Sequence, residues 1–437
     1  MKKHLFSCAL LALFVAANGT AQTRRTIGIG ELFSLVESGS NALKVQKTGV
    51  DVANRGIEEA KSRRLPDINA SLAVSYNGNV LMTDRSFGNA KGLSQPHFGN
   101  SFAIEAQQVV YAGGALNAGI RLAELQKAQS ENTVSMTRNQ QRFLALGEYL
   151  ELCKLNNGIK VYESNITLTE KLIADIKAKQ SQGMALKNDV TRYELQMEQL
   201  KLGKRKLEDQ KLILNHQLCN TLALQGDTEI VPQLNLDNIG NENVSEQLVQ
   251  DCASQSSPLI RQTAIGMQMA DQQLKMAKSE MLPKVALVAS DNFAGPFTYD
   301  IPPIDKNFNI WYVGVGVKYS LSSLFKGYKG VRKAKEMVRQ SSEAHSLSGE
   351  TVNNNVQQAI TMHKQAFVEL RTQQKSVELA NQNYSVMNDR YLNQLALVTD
   401  MVDASNLKLN AELQEVNAKI NIAYTYYNMM YAEGNLN

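Results

Sequence analysis

The sequence predicts a mostly α fold with a β-barrel part, in which long antiparallel coiled-coil helices carry four long strands per chain. Three observations lead there. One segment recurs at about half the chain length, two long stretches carry heptad-spaced apolar residues, and two shorter segments between helices switch to period-two alternation.

The repeat sets the organisation. Ala53 to Pro66 reads ANRGIEEAKSRRLP and Ala270 to Pro283 reads ADQQLKMAKSEMLP, with six of fourteen positions identical and an offset of 270 − 53 = 217. Solenoid periods are about 20–50 residues, so this offset points to duplication of a whole unit. We divide the chain into a first repeat (22–222), a linker (223–243) rich in Asn, Asp, Gly and Pro, and a second repeat (244–437).

Before the first repeat, Lys2 and Lys3 form a basic region, Leu5 to Ala16 an apolar run, and Gly19-Thr20-Ala21 a small-residue cleavage site. Residues 1–21 read as a signal peptide cut after Ala21, since the run is too short to span a bilayer. The apolar run follows Cys8 instead of preceding it, which argues against lipidation.

Four helical stretches are expected. Ile29 to Arg64 and Val244 to Met281 each end at a Leu-Pro pair, where proline stops the hydrogen-bond ladder. Gly114 to Leu222 and Gly327 to Tyr431 are too long to run straight and must fold back as hairpins. Tyr193, Leu200, Leu207 and Leu214 recur every seven residues. Leu409, Leu413, Val416, Ile420, Ala423, Tyr427 and Met430 alternate steps of four and three. Both are the seams of packed coiled coils.

Each Leu-Pro opens a β segment. Ile68, Ala70, Leu72, Val74 and Tyr76 alternate with small polar residues, and Phe102 to Val110 follows a Gly/Asn/Ser-rich loop. After Pro283, Trp311, Val313, Val315, Val317 and Tyr319 share one face, with Tyr312, Gly314, Gly316 and Lys318 on the other. Strands of this length suit a tilted membrane barrel. Tyr76, Tyr111, Phe293, Trp311, Tyr312 and Tyr319 are candidate membrane-interface aromatics. Four strands cannot close a barrel and an open edge in lipid is not tolerated, so the barrel is expected to be shared between chains. Two copies give eight strands and three give twelve, the latter with room for an aqueous pore. The polar helices are expected to continue into the periplasm.

Several function classes are excluded. Lys plus Arg total 46 against 42 Asp plus Glu, and the net charge of +4 leaves no nucleic-acid footprint. His97, His216, His345 and His363 lack metal-ligand spacing. Gly28 and Gly30 have no third glycine, and neither a GxSxG elbow nor a Walker loop is present. No catalysis, cofactor or metal is expected. Cys153, Cys219 and Cys252 read as small buried hydrophobes, with one disulfide left open.

The order helix, Leu-Pro, hairpin, long helical pair, occurring twice across the mature chain, resembles the TolC-type outer-membrane efflux proteins. The tips resemble that family's signature Gly-x-x-x-x-x-Asp-Val followed by an alanine-rich helix. The first half has Gly183 to Val190 and the second Gln394 to Ala404, with Asp189 and Asp400 211 residues apart. The resemblance implies a homotrimer with a twelve-stranded outer-membrane barrel in outer-membrane lipid and an α-helical periplasmic tunnel. It also implies an equatorial region at 222–244, and docking to a periplasmic adaptor coupled to an inner-membrane pump. Asp400 and Asp403 match the acidic pair of the periplasmic gate, where threefold carboxylate rings attract cations, although Asp189, Asp400 and Asp403 all also suit helix N-terminal capping. Asp189, Asn188 and Tyr391 match tip contacts. Leu395 stands for the family's second-tip glycine and Ala396 for its clamping arginine, so the closed state would rest on other contacts, through Asp189, Asn188 or Lys187. A different class, an exported coiled-coil adaptor or scaffold that forms no pore, shares the signal and the heptads; it would extract without detergent.

Overall fold

The computed structural model describes residues 23–234, 241–298 and 303–436. The signal-peptide reading lies outside them, as does part of the 223–243 linker. The elements run β1 (Arg24–Ile27), α1 (Ile29–Gly39), α2 (Asn41–Ser62), β2 (Asp67–Tyr76), β3 (Val80–Met82), β4 (Lys91–Leu93), β5 (Phe98–Tyr111), α3 (Ala115–Ser181) and α4 (Lys187–Thr221). Then follow β6 (Glu229–Pro232), α5 (Glu246–Ser256), α6 (Pro258–Ser279), β7 (Lys284–Gly295), β8 (Phe308–Lys318), α7 (Ser323–Leu392) and α8 (Val398–Glu433). They form two compact units that cut across the repeats. One gathers the described parts of Met1–Lys47, Thr133–Arg261 and Ser348–Asn437; the other holds Thr48–Asn132 and Gln262–Leu347.

The helices before each Leu-Pro are broken, contrary to the expectation of two continuous stretches. Ser40 and Ser257 adopt extended backbone (ψ 117° and 118°), and their amides close the preceding helix on Val36 O and Ala253 O. Ser40 Oγ then accepts the Leu43 amide at 3.4 Å, and Pro258 opens α6 where its missing N–H costs nothing. The breaks are themselves 217 residues apart (257 − 40 = 217). β1 and β6 pair in parallel, Arg24 to Glu229 through Ile27 to Pro232, an element too short to read from the sequence. Asn215 anchors β6 by donating to Thr228 O and accepting the Ile230 amide, both at 2.8 Å.

In that unit the heptad stripes face inward. Tyr193, Leu200, Leu409, Ile420 and Ala423 are buried. Two polar pairs interrupt the seams: Gln196 donates to Asn406 at 2.7 Å and Asn165 to Glu412 at 2.8 Å, which fixes the axial register of α8 against α4 and α3. Cys153 and Cys219 are buried free thiols, as expected, and burial pushes Cys153 up to about 12. Cys252 is exposed, which corrects its reading as a buried hydrophobe.

The other unit carries one antiparallel sheet in the order β2-β5-β7-β8. The expected loop 77–100 holds the small β3–β4 hairpin and the first residues of β5. Register places Ala70, Ile104, Asp291 and Trp311 in one cross-strand row, and Leu72, Phe102, Phe293 and Asn309 in the next. Paired residues project to the same side. One face therefore carries Ile68, Leu72, Val74, Phe102, Leu287, Val313, Val315 and Val317; Asp291 is its one charged residue among the paired positions. The opposite face carries Asn69, Ser71, Ser101, Glu105, Gln107, Ser290, Asn292 and Lys318. All ten residues of β2 are exposed. β2 and β8 each pair on one side only, so the single chain leaves the sheet open. No helix among the described residues is long and apolar enough to cross a membrane.

Candidate functional site

The sheet locates the predicted aromatics. Tyr76 and Phe98 are register partners at one end of the apolar face, with Trp311 and Phe293 below them. A register shift between Val109 and Tyr111 brings Tyr111 beside Val285 on the same face at the other end. Tyr312 pairs with Ser290 on the polar face, opposite the face that carries Tyr76, Phe293 and Trp311. Tyr319 follows β8 and is 40% exposed.

The helix hairpins turn at 182–186 and 393–397. In the first, Gly183 is left-handed (φ +77°) and the Met184 amide reaches back to Lys179 O at 2.9 Å. In the second, Gln394 is left-handed (φ +62°) and the Leu395 amide reaches Arg390 O at 2.8 Å. These are the same helix-terminating turn. Gln394, not Leu395, therefore holds the glycine position of the second tip.

Each tip re-enters a helix through an aspartate. Asp189 Oδ2 accepts the Leu186 amide and Asp400 Oδ2 the Leu397 amide, both at 3.0 Å. The carboxylates satisfy otherwise orphaned donors at the helix start. Asp400 is thus a capping residue and remains exposed. Asp403, one turn on, is exposed and has no hydrogen-bond or ion-pair partner among the described residues, while Met401 and Ala404 between and beside them are buried. Asn188 is exposed and caps nothing.

Below the turns, Leu172, Ile176, Val190, Tyr193, Val398 and Met401 form a buried cluster flanked by Tyr384, Met387 and Tyr391. The Tyr193 and Tyr391 rings lie 6.3 Å apart. Burial, with smaller contributions from neighbouring groups, raises the Tyr193 phenol, and burial plus the Asp189 charge raises Tyr391. Lys179 Nζ sits 5.8 Å from the Tyr391 ring centroid. The structure so brings together Asp189, Tyr391 and Tyr193. Tyr193 was legible only as a heptad position. No group of metal-ligating side chains occurs among the described residues.

The sequence model of the outer membrane efflux proteins matches residues 249–434, which span α5 to the end of α8 and include the second tip. Over that stretch, less than half of the chain, the sequence is similar to the outer membrane efflux proteins. No curated protein sequence matches it significantly. The fold is shared by solved structures at low identity. The outer membrane protein VceC from Vibrio cholerae is 14% identical, with a TM-score of 0.75 over 94% of this chain and 97% of that one. The Campylobacter jejuni CmeC outer membrane channel is 15% identical, with a TM-score of 0.74 over 93% and 86%. The open state of the Neisseria gonorrhoeae MtrE outer membrane channel is 12% identical, with a TM-score of 0.73 over 93% and 89%.

Proposed function

We propose that the chain is the outer-membrane duct of a tripartite efflux or type I secretion system, a homotrimer that conducts substrates passively from a periplasmic adaptor and inner-membrane pump. The observation that carries this is the open four-stranded sheet with one apolar and one polar face. Unpaired edges are not tolerated in lipid, so β8 of one copy pairs with β2 of the next. Three copies give twelve strands, apolar side to lipid and polar side to a water-filled lumen. The helices extend into the periplasm. Leu186, Leu395 and Leu397, 71%, 77% and 70% exposed, crown the tips as the adaptor-docking surface. Asp400 and Asp403 form the gate, and Asp403 is its freer carboxylate.

Two measurements test this reading. Crosslinking in the membrane should give a ladder ending at three; one ending at two refutes the trimer. In planar bilayers, Asp403→Asn should reduce cation selectivity and divalent block with the fold intact, while Asp400→Asn should also loosen the tip. Conductance unchanged in both variants removes the gate assignment.

A further inference from the structure

We propose that the first three turns of α7 are a docking surface for the phosphate headgroups of anionic phospholipid in the inner leaflet of the outer membrane. The proposal rests on the reading of the sheet as membrane-embedded.

α7 starts five residues after β8. Its inner side is fixed: Ser323, Val331 and Ala334 are buried, and a Cβ at Gly327 would come within 2.9 Å of Met281 Cγ. The rest of its circumference is open and grades from apolar to cationic. Leu324, Phe325 and Tyr328 are 58%, 65% and 58% exposed. Lys326, Lys329, Arg332, Lys333 and Lys335 follow, all exposed. Phe325, Tyr328, Arg332 and Lys335 share one helix face by spacing, and the Arg332 guanidinium lies 5.9 Å from the Tyr328 ring centroid.

The segment 318–335 contains no Asp or Glu, and none of these five cations has an ion-pair partner among the described residues. Cations in the first turns of a helix oppose its dipole, and neighbours three and four apart repel. No ion pair among the described residues offsets that cost, and only Arg332 has a ring beside it. A polyanionic surface offsets it, and each Lys or Arg near an anionic bilayer gains on the order of 1 kcal/mol per charge, or about fivefold in affinity. The sequence of apolar strand face, exposed Leu and Phe, Tyr, then Lys and Arg matches the passage from hydrocarbon to headgroup. The corresponding start of α3 lacks it: Arg121 is paired there with Glu124 at 2.9 Å.

The test uses the full chain in lipid nanodiscs, either pure phosphatidylcholine or with phosphatidylglycerol added, read by hydrogen exchange over 323–335. Exchange there should slow about tenfold in the anionic discs at low salt, and the difference should vanish at high salt. The triple variant Lys329→Gln, Arg332→Gln, Lys335→Gln, which leaves Val331 and Ala334 in place, should abolish the difference while sheet exchange stays as in the wild type. Equal exchange in both discs overturns the proposal. Strong protection that is equal in both means a protein surface covers the segment and also overturns it. Failure of the chain to enter either disc defeats the membrane reading itself, and the proposal with it.

Discussion

Gly183 and Gln394 hold the same left-handed turn position in the two tips, 211 residues apart (394 − 183 = 211) and at φ of +77° and +62°. Glycine adopts that backbone freely, whereas a side chain at Cβ is crowded by the following carbonyl. The two hairpins thus end in one geometry at unequal cost.

Gln394→Gly should therefore stabilise the second tip by roughly 0.5–1 kcal/mol, and Gly183→Ala should destabilise the first by a similar amount. Hydrogen exchange of the amides at 390–400 and 179–189 reads each tip separately. Slower exchange at 179–189 in Gly183→Ala would contradict the assignment.

The Tyr193 hydroxyl is buried without a hydrogen-bond partner among the described residues, although its ring packs in the tip cluster. Removing an orphaned polar atom while keeping the ring should not destabilise. Tyr193→Phe is expected to raise stability by about 1 kcal/mol, and Tyr193→Ala to cost roughly 3–5 kcal/mol. Thermal unfolding of both variants checks the pair; a Phe variant weaker than wild type would show that the hydroxyl has a partner in the assembled protein.

Much of this was legible in the sequence. The heptad stripes, the Leu-Pro junctions and the four long strands follow from apolar spacing and proline, which act locally. The Ser40 break was not read, although Ser38-Gly39-Ser40-Asn41 is a turn-forming cluster, because the apolar spacing runs on through it. Pro258 marks the second break, and the 217-residue offset transfers it to Ser40. The tip register was misread for a related reason. A search for glycine settles on the neighbour of the true position, whereas counting six residues back from Asp400, as Gly183 stands from Asp189, gives Gln394. The opposite faces of Trp311 and Tyr312 were readable from alternation, but which face is continuously apolar needed the register across all four strands. The β1–β6 pair is a non-local contact between four-residue segments, and no period exists at that length.

Arg138 holds the Glu37 carboxylate at 2.7 and 3.2 Å and Lys47 at 3.0 Å. The Arg138 hydrogen bond is the main reason its pKa falls to about 2, from 4.5. Because the folded value is depressed, this stabilisation is complete above pH 4.5 and is lost as the pH falls from there through 2. The pair is about one-third exposed, so solvent screening reduces its worth. Glu37→Gln should cost roughly 1–2 kcal/mol at neutral pH and little once the pH is below 2. Unfolding free energy measured against pH for both proteins should converge at the acid end; parallel curves would refute the assignment.

His363 gives an acid sensitivity in a different window. It is fully buried between α7 and α8, with its ring against Phe367 and Tyr426. The Thr425 hydroxyl donates to Asn421 O at 3.0 Å, which leaves its oxygen to accept from His363 Nδ1–H at 3.0 Å. Nε2 then faces the core with no hydrogen-bond partner within bonding distance among the described residues. Burial disfavours the imidazolium and lowers the pKa below 6.5, with the Asn241 backbone opposing weakly. The unfolded chain binds the proton first, so stability is full above pH 6.5 and falls as the pH drops below it, by at most about 1.4 kcal/mol per pH unit. His363→Leu removes the titration and the unpaired nitrogen together. Its stability relative to wild type should rise steadily as the pH is lowered from 7 to 5, before Glu37 begins to titrate. A difference between the two proteins that stays constant across that range would show that His363 does not change protonation on unfolding.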